Sequence, residues 1–364
     1  MKPIVVFGAT GFTGRLIVEA LLGMGASDVI LGGRSRAKLS EQSQKHGALE
    51  FRVADARDAA SLAALARGAG VVISAAGPFL QYGDAIVRAA IAAGAHFLDT
   101  TGEQAYMMRI LERYHGACRD RQLCVVNAQA FEFALGYCVA ARLAEAQPEI
   151  DTIDVFNRVE GLGTTRGTQK SALLALRTDA YERKGGRLVK RGISPLPRWV
   201  SMPGRARREA AFPFPGGEAL HLVRNNPQVR NVTTNVVLPP ALAPFAMTLW
   251  SSRPVLGLLE KSGAFGPLFR GIDITPEGPD EAARQKQSFQ VLARGKSPGG
   301  TASVLATGVD PYGITGIMAA LGARLLSDGA PRATGVVSTD QAFGAQAFLD
   351  ALSSFGVQTS RHGC

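Results

Sequence analysis

The stretch that decides the fold lies at residues 4–14 and reads Ile4-Val5-Val6-Phe7-Gly8-Ala9-Thr10-Gly11-Phe12-Thr13-Gly14. A short apolar run, typical of a buried strand, is followed at once by closely spaced glycines and a helix-like segment. We expect Gly8 to permit a tight turn, Gly11 to let the backbone approach a pyrophosphate, and Gly14 to let helix and strand pack closely. The competing interpretation is a purely structural turn. The residues predicted to bind a dinucleotide here are Gly8, Thr10, Gly11, Phe12, Thr13 and Gly14.

Short apolar runs alternate with helix-like segments through the first 127 residues. The runs are Ile4–Phe7, Val29–Leu31, Phe51–Ala54, Val71–Ser74, His96–Leu98 and Leu123–Val126. Strands interleaved with helices are typical of repeated βαβ units. We therefore predict an α/β fold with a Rossmann doubly wound parallel sheet over residues 1–130.

The residues after the second predicted strand indicate which cofactor is bound. An NAD site usually carries an acid about 20 residues past the glycines, where it holds the ribose 2′-hydroxyl. Here Arg34, Ser35 and Lys38 stand at that place, and no acid accompanies them. Cationic and hydroxyl groups suit a 2′-phosphate, so we predict NADPH rather than NADH. The alternative is an exposed basic helix start.

Other strand ends supply further cofactor candidates, because ligands bind at the carboxyl edge of such sheets. Asp55 can accept a hydrogen bond from the adenine amino group, or can cap the helix that begins near Asp58. Small residues after the fourth strand leave room for the ribose and nicotinamide. The further predicted contacts are Ala75, Ala76, Gly77, Pro78, Phe79 and Thr100.

The pattern changes in the second half of the chain. Asp151–Glu160 alternates apolar and polar side chains like a half-exposed strand, and Ala219–Arg224 and Val232–Leu238 also read as strands. Strands and helices without a βαβ rhythm predict a second domain of the α+β class, which we place at residues 131–330 as the substrate and dimerisation domain.

Charge is concentrated in one part of the chain. The net charge is +10, and residues 181–230 hold eleven Lys and Arg against three acids. Such a stretch attracts acidic partners, among them an acyl carrier protein, a phosphorylated substrate or anionic lipid, or it is merely a solvated loop. Nucleic acid is not expected, because no recognised binding motif accompanies the charge.

Cysteine usage and hydropathy exclude several protein classes. Four scattered cysteines form no disulfide framework, no metal-ligand spacing occurs, and a reducing cytoplasm is the expected location. The longest apolar run, Leu238–Trp250, is interrupted by three prolines and is too short to cross a bilayer. We therefore expect no transmembrane segment, although this run can make peripheral membrane contact.

Several motifs together resemble the saccharopine dehydrogenase-like family, whose relatives include trans-acting enoyl reductases. Short-chain dehydrogenases are excluded, since no tyrosine has a lysine four residues later. The motifs that carry the resemblance are the Gly8–Gly14 turn, Ala75–Phe79, Asp99–Glu103, Gly167–Ser171 and Asp310–Thr315. Where many relatives have Gly-Phe-Asp, this chain reads Ala130-Phe131-Glu132. The resemblance implies that residues 331–364 return to pack on the Rossmann domain.

The resemblance and the basic stretch favour an NADPH-dependent reductase of a carbon–carbon double bond conjugated to a thioester. The alternatives are an imine reductase of saccharopine-reductase type and a non-catalytic NADP-binding sensor. The candidate proton donors are Tyr82, Glu132 and Tyr312. Tyr82 is otherwise a core aromatic at a helix start, and Glu132 can act as an acid only if it is buried. We expect an acyl substrate, small or carrier-bound, and a homodimer.

Overall fold

The computed structural model describes residues 2–161, 163–175, 179–191, 196–252, 277–297 and 300–363. The chain divides into two compact units. Unit 1 comprises Met1–Ala134 and Tyr312–Gly356, and unit 2 comprises Leu135–Pro311 and Val357–Cys364. These boundaries differ from the predicted ones at 130/131 and 330/331.

In the part of the chain that the structure describes, unit 1 is built on seven parallel strands. They are β1 (Ile4–Phe7), β2 (Val29–Gly33), β3 (Phe51–Val53), β4 (Val71–Ser74), β5 (His96–Asp99), β6 (Cys124–Val126) and β15 (Gly335–Val337). Their order across the sheet is β15-β6-β5-β4-β1-β2-β3, so it reverses between β1 and β4. That reversal is the switch point of a doubly wound sheet. The predicted Rossmann fold is confirmed, with β15 added beside β6.

Helices cover this sheet because its strands are apolar on both faces. They are α1 (Phe12–Gly23), α2 (Arg36–Lys45), α3 (Ala59–Ala66), α4 (Phe79–Ala92), α5 (Gln104–Asp120), the start of α6 (Phe131–Ala146), α11 (Pro311–Asp328), α12 (Thr339–Phe343) and α13 (Ala345–Ser353). Helix α11 packs tightly on α1, since a Cβ on Gly316 would lie 2.9 Å from the Leu16 carbonyl carbon. This packing explains why the chain rejoins unit 1 at residue 312 rather than at 331.

Unit 2 is built on a second, mixed sheet. Its described strands are β7 (Thr152–Glu160), β8 (Ala180–Lys184), β9 (Arg187–Arg191), β10 (Arg198–Val200), β11 (Glu209–Pro213), β12 (Asn231–Leu238), β13 (Ser288–Ser297), β14 (Gly300–Val309) and β16 (Gln358–His362). The order is β10-β11-β12-β7-β13-β14-β16, with β8 pairing with β12 and β9. Strand β16 pairs with β14, so the last residues join unit 2 instead of returning to the Rossmann sheet.

The remaining described helices belong to unit 2 and confirm its α+β class. Besides most of α6, they are α7 (Arg166–Ala175), α8 (Glu218–Asn225), α9 (Ala243–Ser251) and α10 (Glu281–Gln285), with a 3-10 turn at Pro240–Leu242. The prediction of a strand at Ala219–Arg224 is wrong, because this segment lies in α8. All of Glu218–Leu222 is buried, so its apolar alternation reflects a helix enclosed on every side. Among the described residues, no helix has the length and apolar content needed to cross a membrane.

Candidate cofactor and active site

The glycine turn after β1 lies at the switch point of the unit 1 sheet. Gly8 has a φ of +86°, and a Cβ there would come within 3.1 Å of the backbone of Ala75 and Ala76 at the end of β4. A Cβ on Gly14 would lie 2.0 Å from the Gly8 carbonyl oxygen. Any side chain at either position would therefore push the turn apart. The geometry fits the roles predicted for Gly8 and Gly14.

The N-terminus of α1 faces the same turn with its amide groups uncapped by side chains. Its N-cap is Gly11, which offers no side-chain acceptor, and no acid occupies the first helical turn around Phe12 and Thr13. The loop is held instead by Arg15, whose Nη1 donates to the Thr10 carbonyl oxygen at 2.8 Å. Free amides at a helix N-terminus attract anions, so the turn fits a pyrophosphate.

Cations stand at the end of β2. Arg34 and Lys38 are exposed, and neither forms an ion pair with a described residue. Ser35 caps α2, its hydroxyl accepting from the Lys38 amide at 3.4 Å. The three residues thus surround the first turn of a helix that carries no acid there. This arrangement fits a phosphate on the adenosine ribose.

Asp55 lies just past β3 and is bound to a neighbouring arginine. Arg57 donates to its carboxylate from Nε at 3.0 Å, from Nη2 at 2.8 Å and from the backbone amide at 2.9 Å. These hydrogen bonds hold the pKa of Asp55 well below its usual range. Asp55 does not cap helix α3, because the cap is Asp58, whose carboxylate accepts from the Ala60 amide. The Asp55 carboxylate at the cofactor edge is therefore already hydrogen-bonded to Arg57.

The loop after β4 contains Ala75, Ala76, Gly77 and Pro78, and leads into α4 at Phe79. Proline is a poor cap, and Glu103 supplies the missing acceptor: its carboxylate accepts from the amides of Phe79 at 2.9 Å and Leu80 at 2.7 Å. Burial raises the pKa of Glu103, while these two bonds lower it. Glu103 thus fixes the loop whose small residues are predicted to leave room for the ribose and nicotinamide.

A buried carboxyl at the end of β5 organises the next part of the edge. Asp99 accepts from the amides of Thr101 and Ala128, from Asn127 Nδ2 at 2.7 Å and from the Tyr106 hydroxyl at 3.0 Å. Burial raises the pKa of Asp99 to about 6 against the opposing effect of these bonds. The neighbouring Thr100 amide donates to the Ser74 carbonyl oxygen on β4. No role for the Asp99 carboxyl is predicted from the sequence, yet it ties the carboxyl ends of β5 and β6 together.

The three candidate proton donors lie at different points. Tyr82, partly buried in the first turn of α4, is close enough to Arg57 to influence its pKa. The ring of Tyr312 packs edge-on against Phe12, with ring centroids 5.5 Å apart, beside the glycine turn. Glu132 lies in the first turn of α6, partly buried, and desolvation raises its pKa to about 7.

The first turn of α11 links Glu132 to the glycine turn. Tyr312 on this turn contacts Phe12, and the Thr315 hydroxyl on the same turn accepts from the Phe131 amide at 3.1 Å. Glu132 follows Phe131 directly. Unit 1 therefore brings Glu132, Tyr312 and the start of α1 into one neighbourhood, whereas Tyr82 lies toward Arg57.

In unit 2, four of the eleven cations of the basic stretch at 181–230 form ion pairs with described acids. Arg191 pairs with Glu182, Arg198 with Asp154, Arg205 with Glu160, and Lys190 with Asp179. The Arg183 guanidinium donates to the carbonyl oxygens of Ala219 and Gly186. The other exposed cations of this stretch are Lys184, Arg187, Arg207, Arg208, Arg224 and Arg230. The cationic surface left for an acidic partner is therefore smaller than the sequence count suggests.

Comparisons with known proteins extend this description. Residues 4–126 match the family described as the saccharopine dehydrogenase NADP binding domain, and residues 273–361 match a family of unknown function, DUF5938. A lipid droplet localized protein of Caenorhabditis elegans is 29% identical over 262 residues, covering 65% of this chain and 61% of that protein. A trans-acting enoyl reductase of Mycobacterium tuberculosis is 34% identical over 134 residues, covering 35% of this chain and 32% of that protein.

The fold is also that of a solved enzyme. Apo saccharopine dehydrogenase (L-Glu forming) from Saccharomyces cerevisiae superposes with a TM-score of 0.69 at 11% identity, over 100% of both chains. This likeness concerns the fold alone, and the chain spans less than two thirds of the length of the two relatives above. The turn geometry, the cations after β2 and the family match agree on NADPH as cofactor. Residues 4–126 therefore match the saccharopine dehydrogenase NADP binding domain family, and the chain has the fold of saccharopine dehydrogenase.

Proposed function

We propose that the chain is an NADPH-dependent reductase that acts on a carbon–carbon double bond conjugated to the carbonyl of an acyl thioester. The observation that carries this proposal is Glu132, a carboxyl with a pKa of about 7 at the carboxyl edge of the sheet. It is linked through the first turn of α11 to the glycine turn. The substrate class is supported by the relative named trans-acting enoyl reductase.

The residues that would hold NADPH are those described along the unit 1 edge. The free amides at the start of α1 would bind the pyrophosphate, and Arg34, Ser35 and Lys38 the 2′-phosphate. The loop at Ala75–Phe79, fixed by Glu103, would border the nicotinamide half. When bound, NADPH supplies a hydride, and a proton must then reach the other end of the reduced bond.

Glu132 would deliver that proton. A general acid works best when its pKa lies near the working pH, because much of it is then protonated and the proton is still readily transferred. The Glu132 carboxyl would donate from its Oε–H to the substrate carbon next to the carbonyl, and a proton from water would restore it. Tyr312, beside the glycine turn, would orient the cofactor or substrate instead.

The test is NADPH oxidation with two substrates side by side, an enoyl thioester and a cyclic imine, each with the wild-type chain and with Glu132→Gln. Turnover of the thioester by the wild-type chain, together with a large loss of that turnover in Glu132→Gln, would support the proposal. Turnover of the imine alone would move the chain to carbon–nitrogen reduction. No turnover of either, with NADPH still bound, would favour the sensor. An acyl carrier protein as donor of the thioester and a homodimer remain predictions.

A further inference from the structure

Unit 2 carries a set of exposed apolar side chains that the cofactor site does not use. Phe245 is 71% exposed, Leu196 65%, Leu242 49% and Trp199 46%. We call these four residues the apolar edge patch. Large apolar side chains exposed at this level in neighbouring segments are uncommon on a protein that contacts only water, and they mark a contact surface.

The fold places Trp199 and helix α9, which carries Phe245, on one side of the unit 2 sheet, at its β10 edge. Trp199 pairs in register with Ala210 of β11, so both side chains lie on the same face. Ala210 in turn packs in one core cluster with Ala243 and Ala246 of α9. Trp199 therefore lies one strand outward from the residue on which α9 sits. On α9, the alanines face the sheet and Phe245 faces solvent.

Two exposed arginines, Arg207 and Arg208, lie near the patch and form no ion pair with a described residue. The other two arginines of residues 196–208 are paired, Arg198 with Asp154 and Arg205 with Glu160, while residues 239–252 carry no charged side chain. Arg208 donates to the Trp199 carbonyl oxygen at 2.7 Å, so a guanidinium stands beside the tryptophan. The cations beside the apolar edge patch that no described acid neutralises are therefore Arg207 and Arg208.

We propose that the apolar edge patch docks this protein on a bilayer surface that contains anionic phospholipid. Tryptophan and phenylalanine side chains bury their rings at the boundary between headgroups and acyl chains, and arginines beside them reach the phosphates. A second copy of this chain is a poorer occupant, because apposed patches would bring the arginines of both copies together. This surface lies outside the cofactor site, so the proposal does not depend on the proposed reaction.

The first experiment is co-sedimentation of the full chain with vesicles of phosphatidylcholine alone and of phosphatidylcholine with phosphatidylglycerol. We expect binding to the anionic vesicles and little to the neutral ones. A Trp250→Phe variant leaves Trp199 as its only tryptophan, since the chain has two. Its emission should shift to shorter wavelength when anionic vesicles are added, because the indole leaves water.

The decisive comparison uses a matched pair of variants. Leu242→Asp with Phe245→Asp should lower the vesicle partition coefficient about tenfold or more. Leu325→Asp, an exposed apolar residue on α11 of unit 1, should leave it nearly unchanged. Circular dichroism and thermal melting verify that both variants fold. Equal binding by both variants, or no binding of the wild-type chain, would overturn the proposal.

Two further results would also overturn it. Vesicle binding that disappears at high salt but is unaffected by Leu242→Asp and Phe245→Asp would assign the attraction to charge elsewhere on the protein. A Trp199 emission shift that depends on protein concentration without vesicles, together with a dimer in light scattering, would make a second copy the occupant.

Discussion

The charged side chains at the two ends of the unit 1 sheet edge differ in their exposure to water. After β2, Arg34 and Lys38 remain in water, where keeping a positive charge costs little. Around β5 and β6, Asp99, Glu103 and Glu132 are withdrawn from water, and burial raises the pKa of each. An exposed charge suits the capture of a charged ligand, while a desolvated carboxyl suits proton transfer or a fixed loop. If this division holds, changes at the buried end should alter turnover and stability, and changes at the exposed end should alter cofactor affinity.

The largest expected effect lies at the buried end. Glu132→Gln keeps the size of the side chain but removes its proton, so kcat should fall about 10²–10³-fold. The Kd for NADPH should not change. Because the protonated form is the active one, wild-type turnover should decline as pH rises above about 7, and the variant should lose this dependence. Steady-state kinetics across pH, with fluorescence titration of NADPH, measures both.

A control for Glu132 lies on the same helix. Glu145 near the end of α6 pairs with Arg142 at the surface, and Glu145→Gln should leave kcat and its pH profile as in the wild-type chain. A loss of NADPH affinity in Glu132→Gln equal to its loss of turnover would mean that Glu132 serves cofactor binding. The division between a binding end and a chemical end would then be wrong.

The second prediction concerns stability. Burial raises the pKa of Asp99 from 3.8 to about 6, so folding favours its neutral form. This contribution is fully present below pH about 4 and is lost as pH rises through about 6, which amounts to about 3 kcal/mol of unfolding free energy. Urea denaturation at several pH values should show that fall in the wild-type chain. Asp99→Asn cannot ionise and should remove this part of the fall, while the parts due to Glu103 and Glu132 remain.

The control for Asp99 is an exposed carboxyl on α5. Asp120 pairs with Arg119 in solvent, and Asp120→Asn should retain the wild-type dependence of stability on pH. If Asp99→Asn retained it as well, the Asp99 carboxyl would be ionised in the folded chain throughout, and its hydrogen bonds would outweigh burial.

How far the sequence could predict these features depends on how local each one is. The Gly8–Gly14 turn and the cations after β2 are read from adjacent residues, and their placement follows from βαβ alternation. The hydrogen bonds of Glu103 to α4 join residues 24 and 23 positions apart, and Asp99 accepts from Ala128, 29 positions away. Such partners meet only in the folded sheet. A proline before α4, which cannot cap, was the available signal for Glu103.

The same limit explains the charge count in unit 2. Arg198 and Arg205 meet Asp154 and Glu160, which lie more than forty positions earlier on β7. A window of residues 181–230 counts these arginines and omits the acids that neutralise them. The sequence identified the cations, but only the sheet register shows which of them face solvent unpaired.

The third prediction tests the glycine turn on which the binding end depends. A Cβ at Gly14 would lie 2.0 Å from the Gly8 carbonyl oxygen, so Gly14→Ala should cost about 2 kcal/mol of unfolding free energy and weaken NADPH binding. Gly23 ends the same helix with nothing within 4 Å of an added Cβ. Gly23→Ala should be neutral or stabilise by about 0.5–1 kcal/mol. Equal stability of the two variants would show that the turn accommodates a Cβ at residue 14.

The smallest effect is expected at the exposed cations. Arg34→Ala should raise the Kd for NADPH about tenfold, since one charge-assisted hydrogen bond to phosphate is lost, and leave the Kd for NADH unchanged. Titration with 2′,5′-ADP, which lacks the nicotinamide half, should show the same tenfold change as NADPH. Lys45→Ala, at the far end of α2 beside Glu19, is the control and should change neither constant. A variant that lost kcat with saturating NADPH would place Arg34 in the chemistry and erase the contrast between the two ends.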